Sequence, residues 1–154
     1  MVNLTLQKPL EDYIAFWQKL SSRSVPLLET LVVPYVRYTN PFHQIQGPEA
    51  MKDVLNNLYA HAEEVRIKIN DQAWGRDGQT VYLRWVMTFI PKGAARRQWT
   101  ILGVSEIMFG NDGRVMAHLD HWDSGSQLLS RLRFIGWWWA KIRARIAGEG
   151  RRQP

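Results

Sequence analysis

The residues with most capacity for chemistry lie in one stretch, 103–123, which reads GVSEIMFGNDGRVMAHLDHWD. Two runs of strand character flank Asn111-Asp112-Gly113, a tight-turn signal in which all three residues tolerate positive φ. Along the second run, residues two apart share a face, so Met116, His118, Asp120 and Trp122 line one side. An imidazole and a carboxylate between a thioether and an indole describe the wall of a cavity, because a solvated face rarely carries Met and Trp. Asp120 is the candidate general base: an apolar cavity disfavours its charged form and raises its pKa toward neutrality. The opposing reading is a structural ion pair with Arg84, which would lower that pKa. His118 is either the acid/base partner of Asp120 or a hydrogen-bonded wall residue. His121 and Asp123 point to the other face, so no metal site is expected from His118, Asp120 and His121. Ser105-Glu106 lacks the glycine-flanked turn of a nucleophile elbow, and no phosphate-cradling glycine loop occurs, so no cofactor is expected.

These residues need elements to hold them. Pro9 opens a helical pattern, with Leu10, Ile14 and Trp17 recurring at helical spacing and Tyr13 and Leu20 beside them. Ser24 is placed to cap a short second helix over 25–31, which Pro34 ends. Residues 35–38 form a short strand, Asn40-Pro41 a turn, and His43 a loop residue. Gly47-Pro48-Glu49 starts the best amphipathic helix, where Met51, Val54, Leu55, Leu58 and Tyr59 make one apolar stripe. From Glu64 the period becomes alternating: Val65, Ile67 and Ile69 face one way, and Val81, Leu83, Trp85, Met87 and Phe89 do the same in the next run. Tyr82, Arg84, Val86 and Thr88 take the opposite face of that run. Residues 91–97 read as a loop, 99–109 as a strand and 114–123 as the last strand. Helices segregated from strands joined in series make the class α+β: a cone-like curved antiparallel sheet wrapped around a long helix, with N-terminal helices and an additional C-terminal amphipathic helix.

The succession Tyr38-Thr39-Asn40-Pro41, Gly47-Pro48, Gly103-Val104-Ser105-Glu106-Ile107, Asp112-Gly113-Arg114 and Asp120-His121-Trp122-Asp123 resembles the SnoaL-like branch of the nuclear transport factor 2-like superfamily, over about residues 10–123. That superfamily includes polyketide cyclases, ketosteroid isomerase and limonene-type epoxide hydrolases. The resemblance implies an internal pocket for a mainly apolar small molecule, with isomerase, cyclase or hydrolase chemistry centred on Asp120. In the epoxide hydrolase pattern a Tyr and Asn two apart, an Arg-x-Asp on a middle strand and an Asp on the last strand hold water and epoxide. Tyr38, Asn40, Arg84 and Asp120 match, whereas Val86 stands where the second Asp belongs. The resemblance therefore implies catalytic roles for Asp120, His118, Tyr38 and Arg84, and ligand contacts from Asn40, Trp122, Met116 and Val86. An isomerase or cyclase needs only one base and a donor, which Asp120 with Tyr38 or His118 supplies.

Composition adds bounds. The absence of Cys excludes disulfides and thiolate metal sites. Eight Trp in 154 residues favour cavities and interfaces, where an apolar body and a polar tip are both used. Residues 124–154 carry seven basic side chains against Glu149 alone, so the whole net charge of +6 resides there. The expected division is a domain over 1–125 and a basic, Trp-rich helix and tail over 126–154. That tail either packs on its own domain, pairs across a dimer, or lies on an anionic membrane surface; nucleic acid is the weaker partner for want of a binding motif. A homodimer through the sheet is expected. Residues 1–7 lack a leader pattern and the apolar run 134–140 is far shorter than the roughly 20 residues of a spanning helix. The expected location is cytoplasmic or peripheral to the inner face of a membrane.

Overall fold

The computed structural model describes residues 4–93 and 97–128, together with Trp137, Lys141 and Ala144. Its contacts divide the chain into one unit over Met1–Trp122 and a second over Asp123–Pro154. In the first unit a turn of 3-10 helix at Leu4–Leu6 leads into α1 (Gln7–Gln18), and another at Val25–Leu27 leads into α2 (Leu28–Leu31). There follow β1 (Val32–Asn40), β2 (His43–Gln46), α3 (Pro48–His61), β3 (Ala62–Trp74), β4 (Thr80–Pro91), β5 (Trp99–Phe109) and β6 (Val115–His121). The strands form one curved, unclosed sheet in the order β2-β1-β6-β5-β4-β3.

The α+β class and the long helix against a curved sheet are as the sequence predicts. The sheet is antiparallel except where β1 and β6 run parallel. Parallel neighbours need a long crossover, and α3 with β3, β4 and β5 supplies it. His43 belongs to β2 rather than to a loop, pairing with Asn40 across a two-residue connection. Pro34 does not precede the strand but lies inside β1, within the segment where the β1–β6 register shifts between Val32 and Arg37. A residue with no N–H is tolerated at such an irregularity because a ladder bond is already missing there. Ser24 caps nothing; its hydroxyl donates to the Ser21 carbonyl at 3.1 Å instead.

The apolar stripes meet in two clusters. One gathers Leu10, Tyr13, Leu28, Met51, Ile107, Phe109 and Val115, each buried, from α1, α2, α3 and the inner sheet face. Complete burial of a side chain such as Phe109 contributes about 1.5–3 kcal/mol. The other gathers Ala62, Trp85, Phe89 and Ile101 from β3, β4 and β5. Gly47 turns the chain into α3 with φ +92°, a conformation that favours glycine, and its N–H donates to the Val36 carbonyl at 2.8 Å.

In the second unit, α4 (Ser124–Gln127) is capped by Asp123, whose carboxylate accepts the Ser126 N–H at 2.9 Å. Lys141 Nζ stands 3.8 Å from the centroid of the Trp137 ring, one helical turn away in sequence. The expected amphipathic stripe over 126–146 otherwise lies outside the described residues. Among the described residues no helix is long and apolar enough to cross a membrane.

Candidate functional site

The β5–β6 hairpin sets the geometry of the site. Its pairing places Ser105 beside Asp120 and Ile107 beside His118, all on the inner face of the sheet. Parallel pairing then brings Tyr38 of β1 beside His118. From the other side β4 lays Leu83 beside Ser105 and Trp85 beside Gly103. A side chain on Gly103 would lie 2.3 Å from the Trp85 ring, so only glycine lets the indole cross the strand. That crossing delivers the Trp85 Nε1–H to Ser105 Oγ at 2.8 Å. From above, α1 contributes Tyr13, fully buried, whose hydroxyl is 2.7 Å from His118 Nδ1.

Asp120 is where these groups converge. Ser105 donates to its Oδ1 at 2.5 Å, His118 Nε2 lies 2.8 Å from the same oxygen, and Tyr38 donates to Oδ2 at 2.8 Å. Asn40 Nδ2 in turn donates to the Tyr38 hydroxyl at 3.2 Å, while its Oδ1 accepts the backbone N–H groups of Phe42 and His43 and holds the β1–β2 turn. A carboxylate offers about four acceptor positions. Among the described residues three are filled, two at Oδ1 and one at Oδ2. His118 and Ser105 are almost wholly enclosed, whereas the Asp120 side chain keeps 13% exposure. Asp120 and Asn40 are thus the members through which the network reaches its surroundings.

The electrostatics follow from this arrangement. Burial pushes the Asp120 carboxyl up, but its interaction with His118 and the hydrogen bonds from His118, Ser105 and Tyr38 outweigh it and hold the carboxyl below its ordinary value. Of the two readings of Asp120, the lowered pKa has the direction found, but its cause is His118, Ser105 and Tyr38 and not an ion pair with Arg84. Desolvation does act toward a raised value, but three donors aimed at the anion act more strongly. Burial, followed by the charge of Asp120, raises the Tyr38 phenol well above its ordinary range. Burial also raises the Tyr13 phenol. Both remain donors at neutral pH.

The structure brings Tyr38, Asn40, His118 and Asp120 together, and leaves Arg84 and Val86 apart. Arg84 is on the outer face of the sheet, in register with Val104 and through it with His121, and it forms an ion pair with Asp71 at 3.8 Å. Val86 pairs with the exposed Leu102 on that same outer face. Neither side chain reaches the inner surface, so the expected placing of Arg84 and Val86 with Asp120 is corrected, as is the Arg84–Asp120 ion pair. The physical reason is strand alternation: the inward positions of β4 are Leu83, Trp85 and Met87. Replacing Arg84 by alanine is expected to change stability by no more than about 0.5 kcal/mol, and to leave the carboxyl NMR titration of Asp120 in place. Trp122 stacks edge-on to Phe42, ring centres 5.6 Å apart, and Met116 packs against the first apolar cluster.

Three members of the network, Ser105, Trp85 and Tyr13, were not singled out by residue type. Counting back from the Asn111-Asp112-Gly113 turn would have paired Ser105 with Asp120. Alternation already turned Trp85 inward opposite a glycine. Tyr13 carried no signal beyond its place on an apolar helix face.

Solved structures with this fold are numerous, and their sequence identity to this chain is low. A nuclear transport factor 2-like protein of unknown function from Burkholderia pseudomallei K96243 superposes with a TM-score of 0.67 at 17% identity, covering 80% of this chain and 95% of that one. A protein with a ketosteroid isomerase-like fold from Catenulispora acidiphila DSM 44928, in complex with trimethylamine, gives 0.66 at 17% identity, covering 79% and 90%. The epoxide hydrolase/cyclase-like enzyme SalBIII, which has a role in pyran ring formation in polyether salinomycin, gives 0.64 at 14% identity, covering 77% and 91%. At these identities the likeness is one of fold. No curated protein matches the sequence. Residues 10–118 match the family model of the SnoaL-like domain, and on that match together with the fold the chain belongs to the SnoaL-like family of the nuclear transport factor 2-like superfamily.

Proposed function

We propose that the domain takes up a mainly apolar small molecule that presents a hydroxyl group to Asp120. Asp120 then accepts the proton of that hydroxyl, or of a water, as its oxygen bonds to an epoxide carbon; the epoxide carbon–oxygen bond breaks, and the alkoxide released takes its proton from solvent, in ring closure or hydrolysis. The observation that carries this reading is a partly exposed carboxylate whose Oδ2, among the described residues, accepts a hydrogen bond from Tyr38 alone. A base with a lowered pKa suits an oxygen nucleophile better than a carbon acid. A hydroxyl becomes strongly acidic only as its oxygen bonds to carbon, so a weak base suffices late in the step, whereas abstraction next to a carbonyl needs a stronger one. The Tyr38–Asn40 pair supports the same reading, since it orients the carboxylate edge that would face the nucleophile. The likeness to SalBIII, itself epoxide hydrolase/cyclase-like, agrees with it.

A second reading is a non-catalytic binding domain, favoured by the fact that three donors of the protein already satisfy the carboxylate. Assays with apolar epoxides and hydroxy-epoxides separate the two. Turnover by the native protein that falls about 10²–10⁴-fold in Asp120→Asn, with ligand binding retained by calorimetry, supports the acid/base reading. Binding without turnover in either protein supports the second. The alternative of a membrane-peripheral module rests on residues 126–154, most of which lie outside the described residues.

A further inference from the structure

We infer that Tyr13 is a positioning residue which fixes His118 as its Nε2–H tautomer, so that the imidazole is a permanent donor to Asp120. The inference rests on the reading of Asp120 as the centre of the site and extends it to a residue on α1.

The argument is one of hydrogen-bond supply. Among the described residues, His118 Nδ1, at 2.7 Å, is the acceptor the Tyr13 hydroxyl meets, and its other polar neighbour is the Trp17 indole N–H. Tyr13 has no exposure to water, and the rings around it are Trp17, Phe109 and His118. The Trp17 indole N–H can only donate, and Phe109 offers no acceptor for a hydroxyl hydrogen. The Tyr13 hydrogen therefore goes to His118 Nδ1, which must carry a lone pair. If Nδ1 were protonated it would donate to the Tyr13 oxygen, and the phenol hydrogen would be buried without an acceptor, at a cost comparable to a lost hydrogen bond. With Nδ1 as acceptor, the ring proton sits on Nε2, which lies 2.8 Å from Asp120 Oδ1 and 3.2 Å from Ser105 Oγ.

Groups from three elements and from its own strand face His118. Tyr13 and Trp17 face it from α1, Tyr38 from β1, Ser105 from β5, and Asp120 lies along its own strand; of these only the carboxylate carries charge. Three two-step donor chains then end on one anion: Tyr13 to His118, Trp85 to Ser105, and Asn40 to Tyr38. Each comes from a different element, and each leaves Asp120 with no donor of its own. A ligand at Oδ2 must supply the hydrogen.

The test reads the ring nitrogens directly, without substrate. In uniformly 15N-labelled protein, long-range proton–nitrogen correlations distinguish a bare Nδ1 from a protonated one, with the His118 signals assigned by their loss in His118→Gln. At neutral pH the native protein is expected to show Nε2 protonated and Nδ1 bare, with the other tautomer at least about tenfold less populated. In Tyr13→Phe, which keeps the ring and removes only the hydroxyl, that preference is expected to fall toward unity. A native His118 with Nδ1 protonated overturns the inference, and so does a nitrogen pattern unchanged in Tyr13→Phe. If Tyr13→Phe does not fold, the native spectrum alone decides the tautomer. Because no turnover is measured, failure here is separate from failure of the acid/base reading, which Asp120→Asn decides.

Discussion

Replacing Asp120 by alanine is expected to destabilise the domain by about 3–5 kcal/mol, the cost typical of removing one partner from a buried, paired charge. The change leaves Ser105, His118 and Tyr38 each with a donor that has lost its acceptor. Any one such orphan costs about 1–3 kcal/mol, and the three share a single site, so the losses do not add. Asp120→Asn keeps one acceptor oxygen and is expected to cost less. The dependence on pH has a defined sign. The folded carboxyl titrates below its ordinary value of 3.8, so the unfolded chain binds the proton more readily. The stabilisation is complete above the unfolded value and is lost as pH falls through it and on through the folded pKa. Urea unfolding of native protein and Asp120→Asn between about pH 6 and pH 2.5 measures this. The gap between the two should narrow toward acid. Asp77 and Asp112 also titrate low in their turns, but both proteins retain them and the difference cancels their effect. A gap that stays constant through the acid range, or a carboxyl signal of Asp120 titrating above 3.8, would show that the three donors do not stabilise the anion.

Gly103→Ala is expected to destabilise by about 2–4 kcal/mol, a large effect for the addition of one methyl group. The new Cβ would lie 2.3 Å from Cζ2 and 2.6 Å from Cη2 of Trp85, far inside contact distance. The backbone of Gly103 is held by its pairing with β4, and its neighbour Val104 is paired on both sides, so the indole must move. When it swings away, its N–H loses Ser105 Oγ, and Ser105 loses the donor that stands behind its own bond to Asp120. Near-UV circular dichroism should report the displaced indole and urea unfolding the lost stability. Trp85→Phe in the Gly103→Ala background should recover part of the loss, because a smaller ring no longer meets the methyl. Purely additive effects of the two substitutions would mean that the contact is not the cause, and a double-mutant cycle makes that comparison directly.

Much of the fold was legible because local rules and tertiary packing agree here. The stripe Met51, Val54, Leu55, Leu58 and Tyr59 marks α3, and two of its members are fully enclosed. Alternation along β4 and β6 identified the inward faces, and the Asn111-Asp112-Gly113 turn joins β5 to β6 as expected. The same alternation put Arg84 and Val86 on the outer face. The family pattern suggested otherwise because it matched residue types along the chain and not the face each one occupies.

What lay beyond the sequence is the set of meetings between elements. His118 and Asp120 share a face by local geometry alone, so their proximity could be read directly. Tyr13 on α1, Trp85 on β4 and Tyr38 on β1 are 105, 35 and 82 residues from the group each serves, directly or through Ser105. No periodicity links such distant positions. The sequence by itself determined which strand faces turn inward, where the chain turns and that a carboxylate and an imidazole lie on one wall. Only the tertiary structure decided that the carboxylate is held as an anion, because a pKa depends on burial and on how many donors converge on a group: Tyr38, and the Tyr13 and Trp85 groups behind His118 and Ser105, reach the hairpin only when β1, β4 and α1 pack against it.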